Sequence, residues 1–360
     1  MEGGGGEGDD GVREVELRRL RLPLARPFTT AHGTVAERDV LLVRVDEGWA
    51  ECVAPTAPTY TAEYTDGAHH VLRTILVPML FAGRDLAEVK GHQMAKAALE
   101  MAQLDNSLRR HGETLAEHLG ATRDAVPAGI ALGIPDSVEA LVEQAEAALA
   151  DGYQRIKLKI QPGWDVHPVA ALRHHFDHPI ELHVDGNGSY RAIDELEHLD
   201  HFGLTMIEQP FPADDLRTHA AWTQAMETPV CLDESITSAA AADSALALGA
   251  CTIVNVKPGR VGGLAEAVRI HDLCVERGAP AWVGGMSETG LGRAANIALA
   301  ALPGFTMTGD LSASSRWYPV DITPSFELED GMLRVPKQVE LLMDVVEQHT
   351  TSTEVLRGDG

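Results

Sequence analysis

Three acidic residues each close a short apolar segment of the sequence, and they recur at a nearly constant interval. Asp185 ends LHVD, Glu208 ends MIE and Asp233 ends CLD, at separations of 23 and 25 residues. A single Asp or Glu at a strand end is ordinarily a turn former or a helix cap. Three in register at one rim repel one another unless a cation lies among them. Three carboxylates with room for water suit a hard cation, so the sequence predicts a Mg²⁺ or Mn²⁺ site.

Lysines flank these carboxylates on both sides along the chain. The stretch RIKLKI, residues 155–160, alternates cations with aliphatic residues, and Lys257 ends VNVK, 24 residues after Asp233. If RIKLKI is a strand of a β/α barrel, helices cover one of its faces and the barrel interior covers the other. The aliphatic side chains must then face the helices, and Lys157 and Lys159 must point inward. A buried ammonium is costly unless opposite charge lies near it. We expect the carboxylates at the same height to supply that charge.

The places of two lysines on a ring of strands predict a reaction. In a closed ring of eight strands, the second and the sixth lie opposite each other. Lys159 on the second strand and Lys257 on the sixth would therefore approach a substrate from opposite faces. A metal ion that binds a carboxylate stabilises the enediolate that forms when the α-proton leaves. A lysine beside a divalent cation has a lowered pKa and can act as a base near neutral pH.

These residues need a scaffold that brings the ends of strands together. From residue 125 onward, eight strand-length apolar runs alternate with helical stretches over roughly 190 residues, which is typical of a (β/α)8 barrel with its site at the C-terminal mouth. A doubly wound open sheet is the competing fold, but no G-x-G-x-x-G follows the first run. The runs are Val126–Leu132, Arg155–Ile160, Ile180–Asp185, Thr205–Glu208, Val230–Asp233, Thr252–Lys257, Ala281–Gly284 and Phe305–Gly309.

Four parts are predicted along the chain. Residues 1–12, MEGGGGEGDDGV, are glycine-rich and acidic and are predicted to be a disordered leader. Residues 13–122 show strands followed by two helices, over 62–81 and 89–111, which indicates an α+β capping domain. Residues 123–320 are the predicted barrel. Residues 321–360, with a hairpin around Asp330–Gly331, are expected to pack back on the capping domain.

Composition narrows the possible partners. The net charge of −25 argues against nucleic acid and anionic membranes, which both require basic surface. No run of about 18 apolar residues is present to span a bilayer. The four cysteines show no C-x-x-C pairing, as expected in a reduced cytoplasm. We expect a cytoplasmic homo-oligomer that acts on a small carboxylate.

Longer motifs carry a family resemblance. The sequence contains GYQRIKLKIQPGWDV, IEQPF, CLDESI, VNVKPGRVGG, GGMSETGLGRAANIALAALPGF and GDLSAS. On these motifs the chain resembles the enolase superfamily, and within it the o-succinylbenzoate synthase and N-succinylamino acid racemase group of the muconate-lactonizing-enzyme-like branch. The resemblance extends from about Val15 to Thr323. It implies an N-terminal α+β capping domain on a modified (β/α)8 TIM barrel.

The resemblance also implies roles for individual residues. Lys159 and Lys257 would be the acid/base pair, with Asp185, Glu208 and Asp233 as Mg²⁺ or Mn²⁺ ligands. The residues expected to bind substrate are Lys157, Asn187, Gly285, Met286, Ser287, Trp317, Thr30 and His32.

Several of these positions have open interpretations. Arg260 resembles an arginine of racemase-competent relatives and is expected to support the site, although a salt bridge at a helix entry is the alternative. Ser287 and Trp317 stand where relatives often have Ile and Phe, which leaves the preferred acyl group or side chain open. Thr30 and His32, in the loop PFTTAHGT, are expected to close over the barrel mouth, with a plain surface connection as the alternative.

Two reactions share the first step that this machinery implies. Dehydration gives o-succinylbenzoate on the route to menaquinone, and racemisation returns a proton to the opposite face of an N-acylamino acid. We place dehydration first and racemisation close behind, ahead of muconate cycloisomerisation and dipeptide epimerisation. A different class, a Schiff-base aldolase using Lys257, would leave the three carboxylates unexplained.

Overall fold

The computed structural model describes residues 11–358. The predicted leader lies outside this range except for its last two residues, so it stays a prediction. Within the described residues an antiparallel sheet with helices precedes a curled parallel sheet, which confirms the expected barrel with an N-terminal capping domain. No helix in this range is long and apolar enough to cross a membrane.

The capping sheet joins strands from both ends of the chain. Its members are β1 (Glu14–Thr30), β2 (Gly33–Val45), β3 (Gly48–Cys52) and β13 (Thr350–Arg357). All neighbours are antiparallel, in the order β13-β1-β2-β3. Because β1 and β2 are long and joined by a two-residue turn, their far end, where Thr30 pairs with Gly33, reaches well beyond β3.

Helices cover one face of this sheet. They are α1 (Thr65–Val71), which continues through a π-helical turn (Leu72–Leu76) into α2 (Val77–Phe81), then α3 (Gln93–His111) and α4 (Leu115–Leu119). Buried leucines of the π-turn and of α3 pack on the aliphatic face of β2, so the capping domain has its own apolar core. A capping box of Thr114 and Glu117 starts α4.

Seven parallel strands then follow in chain order and form one curled sheet. Side chains that face the helices, such as Ile156, Leu158 and Val184, are fully buried in the barrel core. The strands are β5 (Gly129–Leu132), β6 (Arg155–Lys159), β7 (Glu181–Asp185), β8 (Met206–Glu208), β9 (Val230–Leu232), β10 (Ile253–Val256) and β11 (Ala281–Val283).

The crossovers between barrel strands are helical. Ser137 begins the first of them as its N-cap, accepting a hydrogen bond from the amide of Ala140 at 3.1 Å. Between β7 and β8 the crossover consists of two 3₁₀ helices, Ile193–Glu195 and Glu197–Phe202. The α-helices are α5 (Val138–Ala150), α6 (Val166–His175), α7 (Leu216–Ala225), α8 (Ala239–Ala247), α9 (Pro258–Val261), α10 (Leu264–Arg277) and α11 (Gly290–Ala300).

The eighth strand predicted at Phe305–Gly309 does not form. The amide of Thr306 donates to the carbonyl of Ala281 at 3.2 Å, and the amide of Asp310 donates to that of Val283 at 3.1 Å. The two donors are four residues apart, whereas their acceptors are two apart. Two extra residues therefore bulge out of the ladder, which prevents a regular strand here.

The same segment, 306–311, meets the first barrel strand on its other side. Gly129 donates its amide to the carbonyl of Leu311 at 3.1 Å, and Ala128 forms a parallel bridge with Gly309. A Cβ on Gly129 would lie 2.4 Å from the carbonyl oxygen of Gly309, so this close approach requires glycine. Segment 306–311 thus closes the ring in place of an eighth strand.

The first predicted run also divides. Residues 125–127 form β4 (Ala125–Pro127), which pairs antiparallel with β12 (Met332–Arg334) instead of continuing β5. The predicted turn at Asp330–Gly331 is present, since the amides of Glu329 and Met332 donate to each other's carbonyls. β12 therefore stays on the barrel, whereas α12 (Met343–His349) leads into β13 on the capping sheet.

Candidate active site

Three buried carboxylates meet at the C-terminal rim of the barrel. Asp185 ends β7, Glu208 ends β8 and Asp233 directly follows β9, so adjacent strands bring them together. All three are fully buried, and one ligand oxygen from each lies within 4.8 Å of the others. Within residues 11–358 no other group of three His, Cys, Asp or Glu side chains comes this close.

Lys159 holds one end of this triad. Its Nζ donates to Oδ2 of Asp185 at 2.6 Å and to Oδ1 of Asn187 at 2.9 Å. The amide of Asn187, which has a positive φ of 44°, donates back to Oδ1 of Asp185 at 2.9 Å. Both oxygens of Asp185 are thus fixed, and the tip of β6 is tied to the tip of β7.

Lys257 holds the other end. Its Nζ donates to Oδ2 of Asp233 at 2.8 Å, while Oδ1 of the same carboxylate contacts a guanidinium nitrogen of Arg260. The hydroxyl of Tyr60, which belongs to the capping domain, donates to that Oδ1 at 2.9 Å and lies 3.1 Å from Lys257 Nζ. The two lysines therefore contact the two outer carboxylates of the triad, with Glu208 between them.

Glu208, the middle carboxylate, is held by two side chains from inside the barrel. Lys157 donates to Oε2 at 2.7 Å, and the amide nitrogen of Asn255 donates to Oε1 at 2.7 Å. Lys157 also pairs with Asp310 on segment 306–311 and lies 3.4 Å from Asp185. Lys157, which the resemblance assigns to substrate binding, is a buried cation shared by three carboxylates.

A layer of side chains beneath Lys157 completes the barrel interior. Arg155, two residues before Lys157 on the same face of β6, is fully buried and pairs with Asp310 at 2.6 Å. The ring of Trp282 lies under both cations, 5.4 Å from the Arg155 guanidinium carbon and 4.9 Å from Lys157 Nζ. An aromatic face stabilises a cation in the absence of water. The floor of the site is therefore a packed charged layer.

The charges shift the pKa values of these groups in definite directions. Burial raises the pKa of Asp185, but Lys159 and Lys157 outweigh it and lower that pKa to about 2. Burial lowers the pKa of Lys257, but Tyr60 and Glu208 outweigh it, so that pKa lies above its usual value. With these neighbours and no cation among them, Lys257 holds its proton tightly. The lowered lysine pKa that the sequence predicts therefore requires the positive charge of a cation.

A fourth carboxyl group, Glu234, stands beside the triad. It is buried and accepts a hydrogen bond at Oε1 from the side-chain amide of Asn187 at 3.0 Å. Burial, followed by the charge of Asp185, raises the pKa of Glu234 to about 7. Asn187 thus links Lys159 to a second acidic group.

A narrow cavity opens above the lysines. Some of the residues predicted to bind substrate line it, and others do not. Gly285, Ser287 and Trp317 line it together with Lys157, Lys159 and Lys257. Phe28 of β1 and Ala131 of β5 complete its wall. Met286 instead packs toward the apolar core of the capping domain, away from this lining.

Thr30 and His32 stand at the tip of the β1–β2 hairpin, beside the mouth of the barrel. The hydroxyl of Thr30 accepts the amide of His32 at 3.1 Å, which closes the tight turn. Burial and then the charge of Lys159 lower the pKa of His32. Neither residue lines the cavity itself, but the electrostatic effect places His32 near Lys159.

Arg260 lies in the interior of the site. Its Nη2 donates to the carbonyl of Asn255 at 2.6 Å, its Nε to the carbonyl of Ile236 at 2.8 Å, and a third nitrogen contacts Asp233. It is 2% exposed, so the contact with Asp233 is not a surface ion pair. Arg260 positions the third carboxylate of the triad.

The donor set fits a hard divalent cation. The triad offers only carboxylate oxygens, from three adjacent strands and in a water-poor site, which suits Mg²⁺ or Mn²⁺ better than a soft metal. Lysines and Arg260 contact the same oxygens, so a cation would enter by displacing some of these contacts.

Among the residues that sequence reasoning missed, three contact the triad or Lys157 directly. Asn255 is two residues before Lys257, and the period of two in a strand could have placed it on the same inward face. Asp310 follows an irregular segment with no such period. Tyr60 lies in a loop of the capping domain, and nothing local in the sequence signals that it reaches Asp233.

Comparisons with known proteins agree with this geometry. Residues 140–341 match the family model described as enolase C-terminal domain-like. The chain is 52% identical over 337 residues to an N-succinylamino acid racemase of Amycolatopsis sp, covering 89% of this chain and 92% of that one. It is 43% identical over 365 residues to an o-succinylbenzoate synthase of Geobacillus stearothermophilus, covering 96% and 97%.

A solved structure gives the same answer for the fold. An enolase superfamily member from Listeria innocua superposes with a TM-score of 0.91 at 35% identity, covering 97% of this chain and 100% of that one. The family match spans more than half of the chain, and the relatives cover nearly all of it. The chain therefore belongs to the enolase superfamily.

Proposed function

We propose that this chain is a metal-dependent enzyme that removes the proton α to a carboxylate, acting as an o-succinylbenzoate synthase and as an N-acylamino acid racemase. The observation that carries the proposal is the placement of two lysines. Lys159 and Lys257 contact the two outer carboxylates of one buried triad, with Glu208 between them. A substrate carboxylate bound there would have an ammonium group at each end of the triad.

Asp185, Glu208 and Asp233 would hold the Mg²⁺ or Mn²⁺ ion. When bound, the cation supplies positive charge that stabilises the negative charge developing on the substrate carboxylate. Lys157, buried below, adds a fixed positive charge on the same side. Arg260 and Asn255 keep the outer and middle carboxylates in position.

In racemisation, one lysine takes the α-proton and the other returns a proton to the opposite face. The neutral amine of the first lysine takes the α-proton. The C–H electron pair forms a double bond between the α-carbon and the carboxylate carbon, and the C=O π pair moves to oxygen, which gives the enediolate. The ammonium of the second lysine then protonates the α-carbon. The enzyme ends with the two protonation states exchanged, and the reverse direction restores them.

In dehydration, one face suffices. Lys159 would take the α-proton, and its ammonium would return that proton to the departing β-hydroxyl, which leaves as water. Lys257 would remain charged and face the developing negative charge. A Schiff-base role for Lys257 fits less well, because its ammonium is engaged by Asp233 and Tyr60 and its pKa is raised.

The names of the relatives support both activities. The Amycolatopsis relative, at 52% identity, is an N-succinylamino acid racemase, and the Geobacillus relative, at 43%, is an o-succinylbenzoate synthase. We also propose that the substrate is a small carboxylate, that the protein is a homo-oligomer and that it is located in the cytoplasm. The four cysteines are all free and buried, which supports a reducing compartment.

Proton exchange with D₂O tests the division of labour between the lysines. With Mg²⁺ present, Lys159→Ala should lose racemisation but still exchange the α-proton of one enantiomer of an N-acylamino acid through Lys257. Lys257→Ala should exchange only the other enantiomer, and NMR of each enantiomer separately reads this out. If both variants exchange both enantiomers, the two lysines do not serve opposite faces and the proposal is wrong.

A further inference from the structure

Tyr318 is a buried side chain beside the active-site cavity that the proposed reaction does not use. It is 2% exposed, and its hydroxyl donates to the carbonyl of Ser287 at 2.7 Å. Ser287 lines the cavity, and so does Trp317, the residue before Tyr318. Burial raises the pKa of the Tyr318 phenol, so the hydroxyl keeps its proton and remains a donor through the neutral range.

The ring of Tyr318 packs in an apolar cluster to which the capping sheet contributes. The cluster includes Leu20 of β1 and Leu42 of β2. The backbone beside the ring is tied to β1 as well, because the amide of Ala25 donates to the carbonyl of Trp317 at 2.8 Å. The hydroxyl of Tyr318 is therefore held in place relative to the capping sheet.

Ser287 has a backbone conformation that its surroundings must enforce. Its φ is 57°, in the left-handed region that few residues other than glycine occupy. Such a residue persists only where neighbouring contacts hold it. Gly284 and Gly285, which precede it in the turn after β11, restrict the backbone less than other residues would. The hydrogen bond from Tyr318 opposes the relaxation of this turn.

Other contacts hold the turn beyond the part that lines the cavity. The amide and hydroxyl of Thr289 donate to Glu51, and Nη2 of Arg293 donates to the carbonyl of Glu288 at 2.9 Å. Neither Thr289 nor Glu288 belongs to the cavity lining. The bond from Tyr318 differs from these because it holds a residue of the cavity wall itself.

Two walls of the cavity come from different segments, and Tyr318 joins them. Ser287 follows β11, whereas Trp317 follows segment 306–311. The ring of Trp317 packs edge-on against Phe28 of β1, with the ring centres 4.9 Å apart. The bond from Tyr318 to Ser287 thus links the turn after β11 to the wall that Trp317 and Phe28 form.

We propose that Tyr318 is a positioning residue that fixes the walls formed by Ser287 and Trp317 relative to each other and so sets the affinity of the cavity for substrate. Tyr318 does not line the cavity, so it acts through these two residues. The walls carry neither the lysines nor the carboxylate triad. Loss of the hydroxyl should therefore weaken substrate binding and leave the chemical step nearly unchanged.

Kinetics of Tyr318→Phe test the proposal, because the change removes the hydroxyl and keeps the ring in its apolar cluster. The inference rests on the proposed function for its substrate, an N-succinylamino acid with Mg²⁺. We expect KM to rise about 5- to 10-fold and kcat to stay within about two-fold, the size of effect expected for one buried hydrogen bond. An unchanged KM in the folded variant, or a fall in kcat alone, would overturn the positioning role.

Tyr153→Phe is the matched control. The hydroxyl of Tyr153, also buried, accepts the amide of Ala313 at 3.2 Å, five residues before Tyr318. The variant removes a phenol hydroxyl from the same part of the chain but keeps the bond to Ser287. Its KM should stay within about two-fold of the unmodified value. An equal rise in both variants would show that the whole segment has loosened and would overturn a specific role of Tyr318.

Fluorine NMR measures the wall independently of turnover. In protein labelled with 5-fluorotryptophan, the Trp317 signal is the one that Trp317→Phe removes, and its shift between H₂O and D₂O reports the exposure of this ring. Tyr318→Phe should increase that isotope shift, and Tyr153→Phe should not. If no substrate is turned over, the proposed function fails, and this signal then decides alone. A larger isotope shift supports the positioning role, and an unchanged one overturns it.

Circular dichroism and thermal unfolding check that Tyr318→Phe folds. If it does not, Tyr318→4-fluorophenylalanine replaces it, because fluorine occupies the place of the hydroxyl but cannot donate a hydrogen bond. The same rise in KM then supports the positioning role, and a KM equal to that of the unmodified protein overturns it.

Discussion

The hydroxyl of Tyr60 donates a hydrogen bond at 2.9 Å to Asp233, across the boundary between the capping domain and the barrel. The same hydroxyl lies 3.1 Å from Lys257 and 3.3 Å from a guanidinium nitrogen of Arg260. A single loop side chain of the capping domain thus contacts a metal-ligand candidate and its two cationic partners. Any movement of the capping domain relative to the barrel would therefore change the contacts of Tyr60 with Asp233, Lys257 and Arg260.

Tyr60→Phe should lower kcat/KM about 10-fold while leaving the fold intact. The change removes one donor to a buried carboxylate and keeps the ring, which lies 4.9 Å from Lys257 Nζ. Steady-state kinetics with either substrate class measures the effect. Tyr64→Phe, at an exposed position, is the control and should behave as the unmodified protein. Equal rates for all three proteins would show that the Tyr60 hydroxyl has no part in the site.

Glu208→Gln should lower activity by more than about 100-fold and weaken Mn²⁺ binding. Glutamine keeps the shape of the side chain but removes one negative charge from the middle of the triad. Calorimetric titration with Mn²⁺ gives the affinity apart from turnover, and circular dichroism checks the fold. Glu276→Gln, on the exposed face of α10, is the control. Full activity of the unmodified protein in excess chelator would refute the metal requirement.

Glu51 should make the protein less stable as the pH rises from about 4.5 to about 7. Its carboxylate accepts the amide and hydroxyl of Thr289 at 2.9 and 2.6 Å, and Arg38 and Glu288 are its charged neighbours. Burial raises its pKa from 4.5 to about 7, so the folded state holds this proton more tightly than the unfolded chain does. The stability contributed by that proton is present below pH 4.5 and is lost by pH 7, a change of about 3 kcal/mol.

Urea unfolding between pH 4.5 and 8 measures this effect in comparison with Glu51→Gln. The difference in unfolding free energy, unmodified minus variant, should decline across this window and then level off. Glu47→Gln, at an exposed position in the turn between β2 and β3, should show a constant difference. A constant difference for Glu51→Gln as well would mean that this carboxyl group titrates normally in the folded protein.

Thr30→Ala and His32→Ala should change kcat or KM about three-fold or more for at least one substrate. Both residues stand at the hairpin tip beside the mouth, and the charge of Lys159 is felt at His32. Kinetics on several acyl and amino-acid variants provide the comparison, with exposed His118→Ala as control. Unchanged constants for every substrate would identify the loop as a plain surface connection.

The parts of the site that could be predicted from sequence are those that the barrel repeats. Asp185, Glu208 and Asp233 recur once per βα unit, so regular spacing alone indicates that they meet. Asp310 escaped prediction because two bulged residues break the strand period just before it. Tyr60 escaped because its contact depends on how a separate domain docks, and docking leaves no periodic signal in either partner.

The lysines show a limit of a different kind. Their inward direction follows from alternation in RIKLKI, but their partners do not, because Lys157 contacts carboxylates from three different segments. Likewise, Arg260 could be assigned to a helix-entry salt bridge from its position after Lys257. Its burial and its contact with Asp233 depend on the close packing around α9, which includes Gly259 against Val53 of the capping domain.

Segment 306–311 has a consequence for how such an enzyme can be altered. Because its two extra residues already lie outside the ladder, a change of length there would not shift the register of the seven parallel strands. The segment nevertheless carries Asp310 and leads directly to Arg316 and Trp317 at the cavity wall. Changes of length confined to the two bulged residues therefore offer a route to new substrate ranges, by natural divergence or by directed evolution, provided that Asp310 keeps its contacts with Lys157 and Arg155.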